Sequence, residues 1–171
     1  MKLYLIGLPG SGKSTLGKKL ADEAAVPFID LDQAIEQESG KTVSSIFSEQ
    51  GEEYFRSLEA VALRQQSKIE KFVMACGGGT PCFHGNMDFM NASGKTIFLN
   101  VPVSEIADRF AKTQEHQLRP LLMESDPQKL RGKLTGLLDV RMPFYSKADL
   151  TFTSTPSPTE ILAELKRKSN G

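Results

Sequence analysis

A phosphate-binding pattern lies close to the start of the chain. Residues 7–14 have the sequence GLPGSGKS, which matches GxxxxGK[ST] at every fixed position. The glycines allow backbone N–H groups to surround a phosphate, while Lys13 can reach the β- and γ-phosphates and Ser14 can bind Mg²⁺. The pattern predicts binding of a nucleoside triphosphate by Gly10, Ser11, Gly12, Lys13, Ser14 and Thr15.

Two carboxylates follow the next predicted strand. Asp30 and Asp32 are two residues apart, so their side chains start on the same side of the chain. Parallel strands present their carboxyl ends at one crevice, which places both acids near the phosphate loop. One carboxylate can support a Mg²⁺-bound water and the other can accept a hydrogen bond from a substrate hydroxyl. Capping of the following helix would equally account for one of them.

Three consecutive glycines, Gly77, Gly78 and Gly79, end the third predicted strand at the same edge. Because they lack side chains, their backbone N–H groups can come close to an anion or a hydroxyl. A simple turn is the alternative, although a turn needs fewer glycines.

Three arginines are further candidates. Arg56 has Glu59 three residues later, on the same face of a predicted helix. Arg141 comes just before Pro143, where we expect its helix to end. Arg119 lies in residues 113–125, which have no clean helical or strand period; a mobile lid is expected there in a kinase that excludes water. Isolated arginines are more often solvated than functional, so each needs further support.

Short apolar runs alternate with helical patterns along the whole chain. We predict strands at 3–6, 26–29, 72–76, 96–101 and 150–153, and helices at 14–23, 34–38, 43–48, 52–68, 103–112, 127–140 and from Pro158 onwards. Continuously apolar strands separated by helices are typical of a parallel sheet covered on both faces. The chain is therefore expected to form one α/β domain over residues 1–171.

The composition excludes several classes of protein. The 171 residues include 21 Lys plus Arg and 21 Asp plus Glu, so the net charge is zero and a nucleic-acid partner is not expected. Membrane spanning needs a run of about 18–20 apolar residues, which the chain lacks. Cys76 and Cys82 do not have zinc-site spacing and are expected to be free thiols in the cytoplasm.

The phosphate loop alone does not define the reaction. A GTPase should have an NKxD motif, and the sequence has none. A large motor ATPase should be longer and should have a strand that ends in acidic residues, whereas here the third strand ends in glycines. The small size and the loop together indicate a kinase that acts on a small molecule.

With these motifs taken together, the sequence resembles the shikimate kinase family. The matching pieces are GLPGSGKST at 7–15, DLD at 30–32, GEEYFRSLE at 51–59, GGGT at 77–80, RPLL at 119–122 and RMPFY at 141–145. Their order and spacing cover roughly residues 2–168. The resemblance implies a three-layer α/β/α, nucleoside-monophosphate-kinase-like fold with a five-stranded parallel sheet in the order 2-3-1-4-5. It also implies phosphorylation of the 3-hydroxyl of shikimate by ATP and Mg²⁺, on the route to aromatic amino acids.

The resemblance also implies residue roles. Asp32 would bind the shikimate hydroxyls and act as base, and Asp30 would support Mg²⁺ through water, beside Ser14. Lys13 and Arg119, the latter in the lid, would act on the nucleotide phosphates. The shikimate carboxylate would be held by Arg56, Arg141 and the N–H of Gly78, with Glu59 orienting Arg56. Gly77 and Gly79 would also belong to the shikimate-binding site.

The implied division of the chain is a core (1–112 and 126–171), a lid (about 113–125) and shikimate-binding helices (about 31–68), in a protein expected to be a monomer. One position departs from the family. An arginine that stacks on adenine is common where this chain has Lys112, and lysine lacks that planar surface. The other side of the adenine would fall near residues 153–158.

Two alternatives remain open. One is a different hydroxy-acid kinase of the same fold, such as one resembling gluconate kinase, although we would not expect it to carry both FRxxE and RxPxY. The other is a non-catalytic ATP-binding module, but degenerate relatives usually lose Lys13, Asp32 or an arginine of the acid site. ATP turnover with shikimate, with gluconate or with neither distinguishes the three.

Overall fold

The five strands form one parallel sheet in the order β2-β3-β1-β4-β5, with helices on both faces. The strands are β1 (Lys2–Ile6), β2 (Phe28–Asp30), β3 (Phe72–Ala75), β4 (Lys95–Leu99) and β5 (Leu150–Phe152). The computed structural model describes residues 1–113, 120–122, 124 and 126–169. The fold class and strand order are therefore confirmed.

In the part of the chain that the structure describes, seven helices surround the sheet: α1 (Lys13–Ala24), α2 (Leu31–Ser39), α3 (Val43–Gln66), α4 (Asn86–Ser93), α5 (Val103–Thr113), α6 (Pro127–Tyr145) and α7 (Pro158–Ser169). Short 3₁₀ turns occupy Thr80–Cys82 and Pro120–Leu122. Helix α4 and the first 3₁₀ turn are not among the predicted elements. Helix α4 has only 8 residues and no side-chain cap at Gly85, so the usual sequence signal for a helix start is missing.

Helix α6 continues through Pro143 to Tyr145, so the prediction that it ends near Val140 at the proline was wrong. Pro143 is exposed, and so is Asp139, the residue whose carbonyl loses its intrahelical partner. Water can hydrate that carbonyl, which makes a proline tolerable there. The extra turn matters because it carries Arg141 and Tyr145, four residues apart and both buried, to the carboxyl edge of the sheet.

Helix α3 changes direction at Gly51, as the predicted split between 43–48 and 52–68 anticipated. Gly51 has φ 84° and ψ 171°, in a region that favours glycine, whereas the residues on both sides are helical. The first half begins at Val43 with the Thr42 hydroxyl capping the Ser45 N–H at 3.1 Å. The second half directs Arg56 and Glu59 toward the end of β3.

The central strands are buried on both faces, as parallel strands covered by helices should be. Tyr4, Leu5 and Ile6 of β1 are fully buried. The Tyr4 hydroxyl, which needs a partner in this core, bonds the Ser67 and Ser93 hydroxyls at 2.9 Å each. Within the residues described, we find no helix with the length and apolar character that crossing a bilayer requires.

Asp149 joins the start of β5 to the start of β4. Its carboxylate accepts hydrogen bonds from the Thr96 N–H at 2.9 Å and from the Lys95 ammonium at 2.9 Å. Burial alone would raise the pKa of this carboxyl, but the hydrogen bonds from Thr96 and Lys95 outweigh burial and lower the pKa. A lowered carboxyl pKa contributes stability above the unfolded value of about 3.9 and loses it as the pH falls through the folded value.

We therefore expect Asp149→Asn to reduce the free energy of unfolding at pH 7 by about 1.5–3 kcal/mol, the scale of a hydrogen bond to a charged group. The difference from the unmodified protein should shrink below about pH 4. Denaturant unfolding at pH 7 and pH 3 measures both values. Asp88→Asn is the control, because Asp88 is exposed and its contact with Lys147 is 3.5 Å. A difference that stays constant with pH would show that the Asp149 charge contributes nothing.

Candidate active site

The loops that follow β1, β2 and β3 emerge at one edge of the sheet. Asp30, the last residue of β2, is in register with Ala75 of β3, and Ala75 is in register with Leu5 of β1. Because the strands are parallel, the phosphate loop, the two aspartates and the three glycines all lie at this edge. Two adjoining cavities open there.

The first cavity, which we call the phosphate-loop cavity, is lined by residues that include Lys13, Ser14, Asp30 and Asp32. Gly10 and Gly12 have φ values of 79° and 92°, which favour glycine and turn the loop into α1. Gly12 caps α1 without a side-chain hydrogen bond, so no side chain of the cap competes for the first N–H groups of the helix. Such a helix start is suited to bind phosphate.

The side chain of Lys13 lies inside the loop. Lys13 is 9% exposed, and its ammonium donates hydrogen bonds to the carbonyls of Gly7 at 3.0 Å and Leu8 at 2.9 Å. These contacts hold a positive charge at the wall of the phosphate-loop cavity, where the phosphates of a nucleotide would lie.

Asp30 caps the following helix, which is one of the two roles considered from the sequence, and it also contacts the phosphate loop. One of its carboxylate oxygens caps α2 by accepting the Gln33 N–H at 3.3 Å, and the other accepts the Ser14 hydroxyl at 2.8 Å. The pair places a carboxylate and a hydroxyl oxygen together beside the phosphate loop. Oxygen ligands of this kind are those that Mg²⁺ prefers.

The described residues contain no cluster of three or more His, Cys, Asp or Glu side chains arranged to hold a metal ion. A divalent ion at this edge would therefore depend on phosphate oxygens and water in addition to Ser14 and Asp30. This arrangement is typical of Mg²⁺ sites in enzymes that use nucleoside triphosphates.

The second cavity, the arginine cavity, is lined by Arg56 and Arg141 together with Glu59, Phe47 and the three glycines. Arg56 is 4% exposed, and its Nη1 donates to Glu59 Oε2 at 3.0 Å. Glu59 is fully buried, and its other oxygen accepts the Thr80 hydroxyl at 2.5 Å. A buried charge pair needs such additional hydrogen bonds to be tolerated, and these contacts supply them.

Arg141 faces Arg56 across the glycines. Arg141 is 5% exposed, and its Nη1 atom is buried with no hydrogen-bond partner among the residues described. A buried donor of this kind is costly unless a ligand satisfies it. The arginine cavity is therefore suited to an anion.

Glycine is required at these positions because the side chains of Arg56 and Arg141 lie very close to the backbone there. A Cβ atom at Gly79 would overlap the Arg56 guanidinium, and one at Gly78 would lie 2.7 Å from Arg141 Nη1. The Tyr145 hydroxyl donates to the Gly78 carbonyl at 2.5 Å. Burial raises the pKa of Tyr145, so the phenol keeps the proton that it donates. Tyr145 thus holds the glycine segment in place between the two arginines.

The two cavities meet at Asp32, Gly77 and Gly78, which line both of them. A Cβ atom at Gly77 would lie 3.1 Å from Asp32 Oδ1 and 2.9 Å from Glu59 Oε1. The Asp32 carboxylate therefore stands at the boundary between the place for phosphates and the place for an anion. This juxtaposition brings together the predicted phosphate, aspartate, glycine and arginine residues.

Sequence reasoning missed Arg109. Its Nη1 donates to the Gly10 carbonyl at 3.0 Å and its Nη2 donates to the Thr155 hydroxyl at 3.2 Å. Arg109 and Pro156 line a cleft that continues from the phosphate-loop cavity along α1. Lys112, one turn later on α5, is exposed. Arg109 also pairs with Glu105, four residues earlier on α5. No sequence signal pointed to its contacts with Gly10 and Thr155, because these residues are 99 and 46 positions away.

Arg119 and most of the predicted lid lie outside the described residues. Within the segment 113–125, Thr113 ends α5 and lines the phosphate-loop cavity. Leu121 and Leu122 of the second 3₁₀ turn line the arginine cavity. The lid and the role of Arg119 remain predictions.

The comparisons with known proteins point to one family. The model of the shikimate kinase family matches residues 9–169. A shikimate kinase from Parabacteroides distasonis is 43% identical over 159 residues, which are 93% of this chain and 91% of that protein. Two solved structures are similar: a shikimate kinase from Bacteroides thetaiotaomicron and one from Acinetobacter baumannii in complex with shikimate.

The first of these structures matches with a TM-score of 0.81 and 40% identity, over 90% of this chain and 86% of that one. The second matches with a TM-score of 0.83 and 32% identity, over 98% and 90%. The resemblance inferred from the motifs is thus confirmed over nearly the whole length. This chain belongs to the shikimate kinase family.

Proposed function

We propose that the protein transfers the γ-phosphoryl group of ATP to the 3-hydroxyl of shikimate, giving shikimate 3-phosphate and ADP. The observation that carries the proposal is the meeting of the phosphate-loop cavity and the arginine cavity at Asp32. A triphosphate in the first and a hydroxy acid in the second would approach each other beside one carboxylate. This arrangement supports phosphoryl transfer from the nucleotide to a hydroxyl of the acid.

The nucleotide is held by the phosphate loop and the start of α1. Lys13 contacts the β- and γ-phosphates, while backbone N–H groups surround the β-phosphate. The loop residues concerned are Gly10, Ser11, Gly12, Ser14 and Thr15. The nucleoside lies in the cleft between Arg109 and Pro156. Lys112, one turn after Arg109 on α5, stands where an arginine is common in the family.

Ser14 and Asp30 would hold Mg²⁺, directly through the Ser14 hydroxyl and through water for Asp30. The hydrogen bond between their oxygens supports this assignment, because the two groups already share one place beside the loop. When bound, the ion supplies positive charge to the β- and γ-phosphate oxygens. Asp30 keeps its orientation through its cap on α2.

Shikimate lies with its carboxylate between Arg56 and Arg141. A guanidinium donates two parallel hydrogen bonds to a planar carboxylate. Gly78 lines the same cavity, and its N–H is proposed as a further donor. Glu59 orients Arg56, and Gly77 and Gly79 leave the space that the arginines require. The unpartnered Nη1 of Arg141 supports this placement.

Asp32 accepts a hydrogen bond from the reacting hydroxyl and receives its proton as the new P–O bond forms. The transition state of phosphoryl transfer is loose, so the hydroxyl need not be deprotonated beforehand. The main tasks of Asp32 are then to hold the hydroxyl in line and to take the proton late.

Arg119 is assigned to the nucleotide phosphates from a lid that closes during the reaction. The assignment rests on the RPLL segment and on its position after α5. In the proposed division, residues 1–112 and 126–171 form the core, residues 113–125 the lid, and residues 31–68 the helices that bind shikimate.

The protein is further proposed to act as a monomer in the cytoplasm, without a nucleic-acid or membrane partner. Its zero net charge lacks the basic excess of a nucleic-acid-binding protein. Cys76 and Cys82 are free thiols, in keeping with a reducing compartment.

The release of ADP with shikimate, with gluconate and with no acceptor tests the proposal. We expect rapid ADP release with shikimate alone. Preference for gluconate would favour the related hydroxy-acid kinase, and nucleotide binding without turnover on any acceptor would favour the non-catalytic module.

Replacement of either cavity arginine by lysine should weaken the use of shikimate although the charge is kept. An ammonium cannot reproduce two parallel hydrogen bonds, so Arg56→Lys and Arg141→Lys should each lose about 1.5–3 kcal/mol in kcat/KM. Arg131→Lys is the control, because Arg131 is an exposed arginine on the same helix as Arg141. The unmodified enzyme should show a similar defect with shikimate methyl ester. Equal activity on ester and acid would mean that the carboxylate site is misplaced.

A further inference from the structure

Arg56 is bound by two carboxylates and not by one. In addition to Glu59, its Nε and Nη2 both donate to Glu52 Oε1, at 3.2 Å and 3.0 Å. Glu52 precedes Arg56 by four residues, so one helical turn places the two side chains together. The proposed function makes no use of Glu52.

The hydrogen bonds to Glu52 and Glu59 determine which donors of Arg56 remain. A guanidinium has five N–H groups, and these contacts use the one on Nε, one on Nη2 and one on Nη1. One N–H on each terminal nitrogen is left for a ligand. Two donors on neighbouring nitrogens are the number needed for a carboxylate bound through both oxygens.

Aromatic rings also lie close to the guanidinium. The ring of Phe83 lies 4.6 Å and the ring of Phe55 5.2 Å from Arg56 Cζ. Contact with aromatic rings does not prevent a flat cation from rotating in its own plane. Hydrogen bonds to the N–H groups at its edges are needed to fix that orientation. Glu59 alone would hold it at Nη1, whereas Glu52 adds a second fixed edge at Nε and Nη2.

We propose that Glu52 is a positioning residue for the acid substrate, which fixes the in-plane orientation of Arg56 so that its two remaining N–H groups face the shikimate carboxylate. The inference rests on the proposed function and deepens it. Glu52 itself lies at the surface, with its side chain 44% exposed. The negative charge of Glu52, taken alone, would repel an anionic substrate, so its loss should lower the KM for shikimate. Loss of the orienting contact with Arg56 should instead raise that KM.

Steady-state kinetics of Glu52→Ala and Glu52→Gln distinguish the two effects. We expect Glu52→Ala to raise the KM for shikimate by about three- to fivefold, the upper range for an exposed ion pair. The KM for ATP and kcat should stay within about twofold, because the phosphate-loop cavity is untouched. Glu52→Gln keeps an oxygen that can accept from Nε and Nη2, and should recover part of the loss. Glu53→Ala is the matched control, since Glu53 is an exposed acid of the same turn.

A second measurement compares two substrates: the ratio of kcat/KM for shikimate to kcat/KM for shikimate methyl ester. A general loss of stability would lower both values equally and leave this ratio unchanged. This ratio should fall in Glu52→Ala and stay unchanged in Glu53→Ala. A lower KM in both Glu52 variants, equal effects at Glu52 and Glu53, or an unchanged acid-to-ester ratio would overturn the proposal. These outcomes are judged in an enzyme that phosphorylates shikimate; failure of the unmodified enzyme to do so would contradict the proposed function instead.

Discussion

Lys13→Ala is expected to lower kcat by at least about 10²–10³-fold while the fold is retained. The Lys13 ammonium lies at the wall of the phosphate-loop cavity, held by the carbonyls of Gly7 and Leu8. In the proposed function it contacts the β- and γ-phosphates and stabilises charge on the transferring group in the transition state. Removal of one such charge stabiliser typically costs 10²–10³-fold in rate.

The measurement is kcat with saturating ATP and shikimate, together with thermal unfolding to show that the variant is folded. Lys18→Ala removes an equal charge from an exposed position on the same helix and should leave kcat unchanged. More than about a tenth of the original activity in Lys13→Ala would count against the assignment.

Asp32→Asn should lower kcat by at least about 10²-fold, the lower end for loss of a general base. The amide has the same shape and can still accept one hydrogen bond from the hydroxyl, but it cannot take the proton. The affinity for shikimate should suffer less, because the proposed contacts of its carboxylate are with Arg56 and Arg141 and not with Asp32. Steady-state kinetics with shikimate as the varied substrate separate the two effects.

Asp30→Asn is the matched comparison, because it removes a charge two residues away at the same cavity. Its proposed task is to support Mg²⁺, so its defect should be partly relieved by raising the Mg²⁺ concentration, whereas the defect of Asp32→Asn should not. Kinetics of both variants across a Mg²⁺ series test this. Rescue of Asp32→Asn alone would mean that the roles of the two aspartates are exchanged.

Much of the fold could be predicted because its signals are local. The phosphate-loop pattern requires a strand before it and a helix after it, and β1 and α1 occupy those places. The observed strand boundaries differ from the predicted ones where backbone hydrogen bonding extends a strand through a polar residue. The second strand was predicted at 26–29 but is Phe28–Asp30, because the polar residue Asp30 still pairs with Ala75 in the sheet. The order of the strands came from the family resemblance and not from local pattern.

The parts of the site that escaped prediction depend on contacts between distant residues. Tyr145 reaches the Gly78 carbonyl across 67 residues, and it does so only because α6 continues past Pro143. The presence of Pro143 predicts the end of α6, but Pro143 lies on the exposed face of the helix and the helix continues through it. The contact between Glu52 and Arg56 is different: its spacing of four residues on a helix was visible in the sequence and could have been used.

In the proposed reaction, the protein transfers the γ-phosphoryl group of ATP to the 3-hydroxyl of shikimate. The most direct test of this transfer is phosphorus–proton correlation NMR of the product formed from ATP and shikimate by the unmodified enzyme, with Lys13→Ala as the blank. We expect a single phosphorylated product in which the phosphorus couples to the proton on carbon 3, formed together with an equal amount of ADP. Phosphate on another hydroxyl, or ADP formed without any phosphorylated shikimate, would contradict the proposed transfer to the 3-hydroxyl.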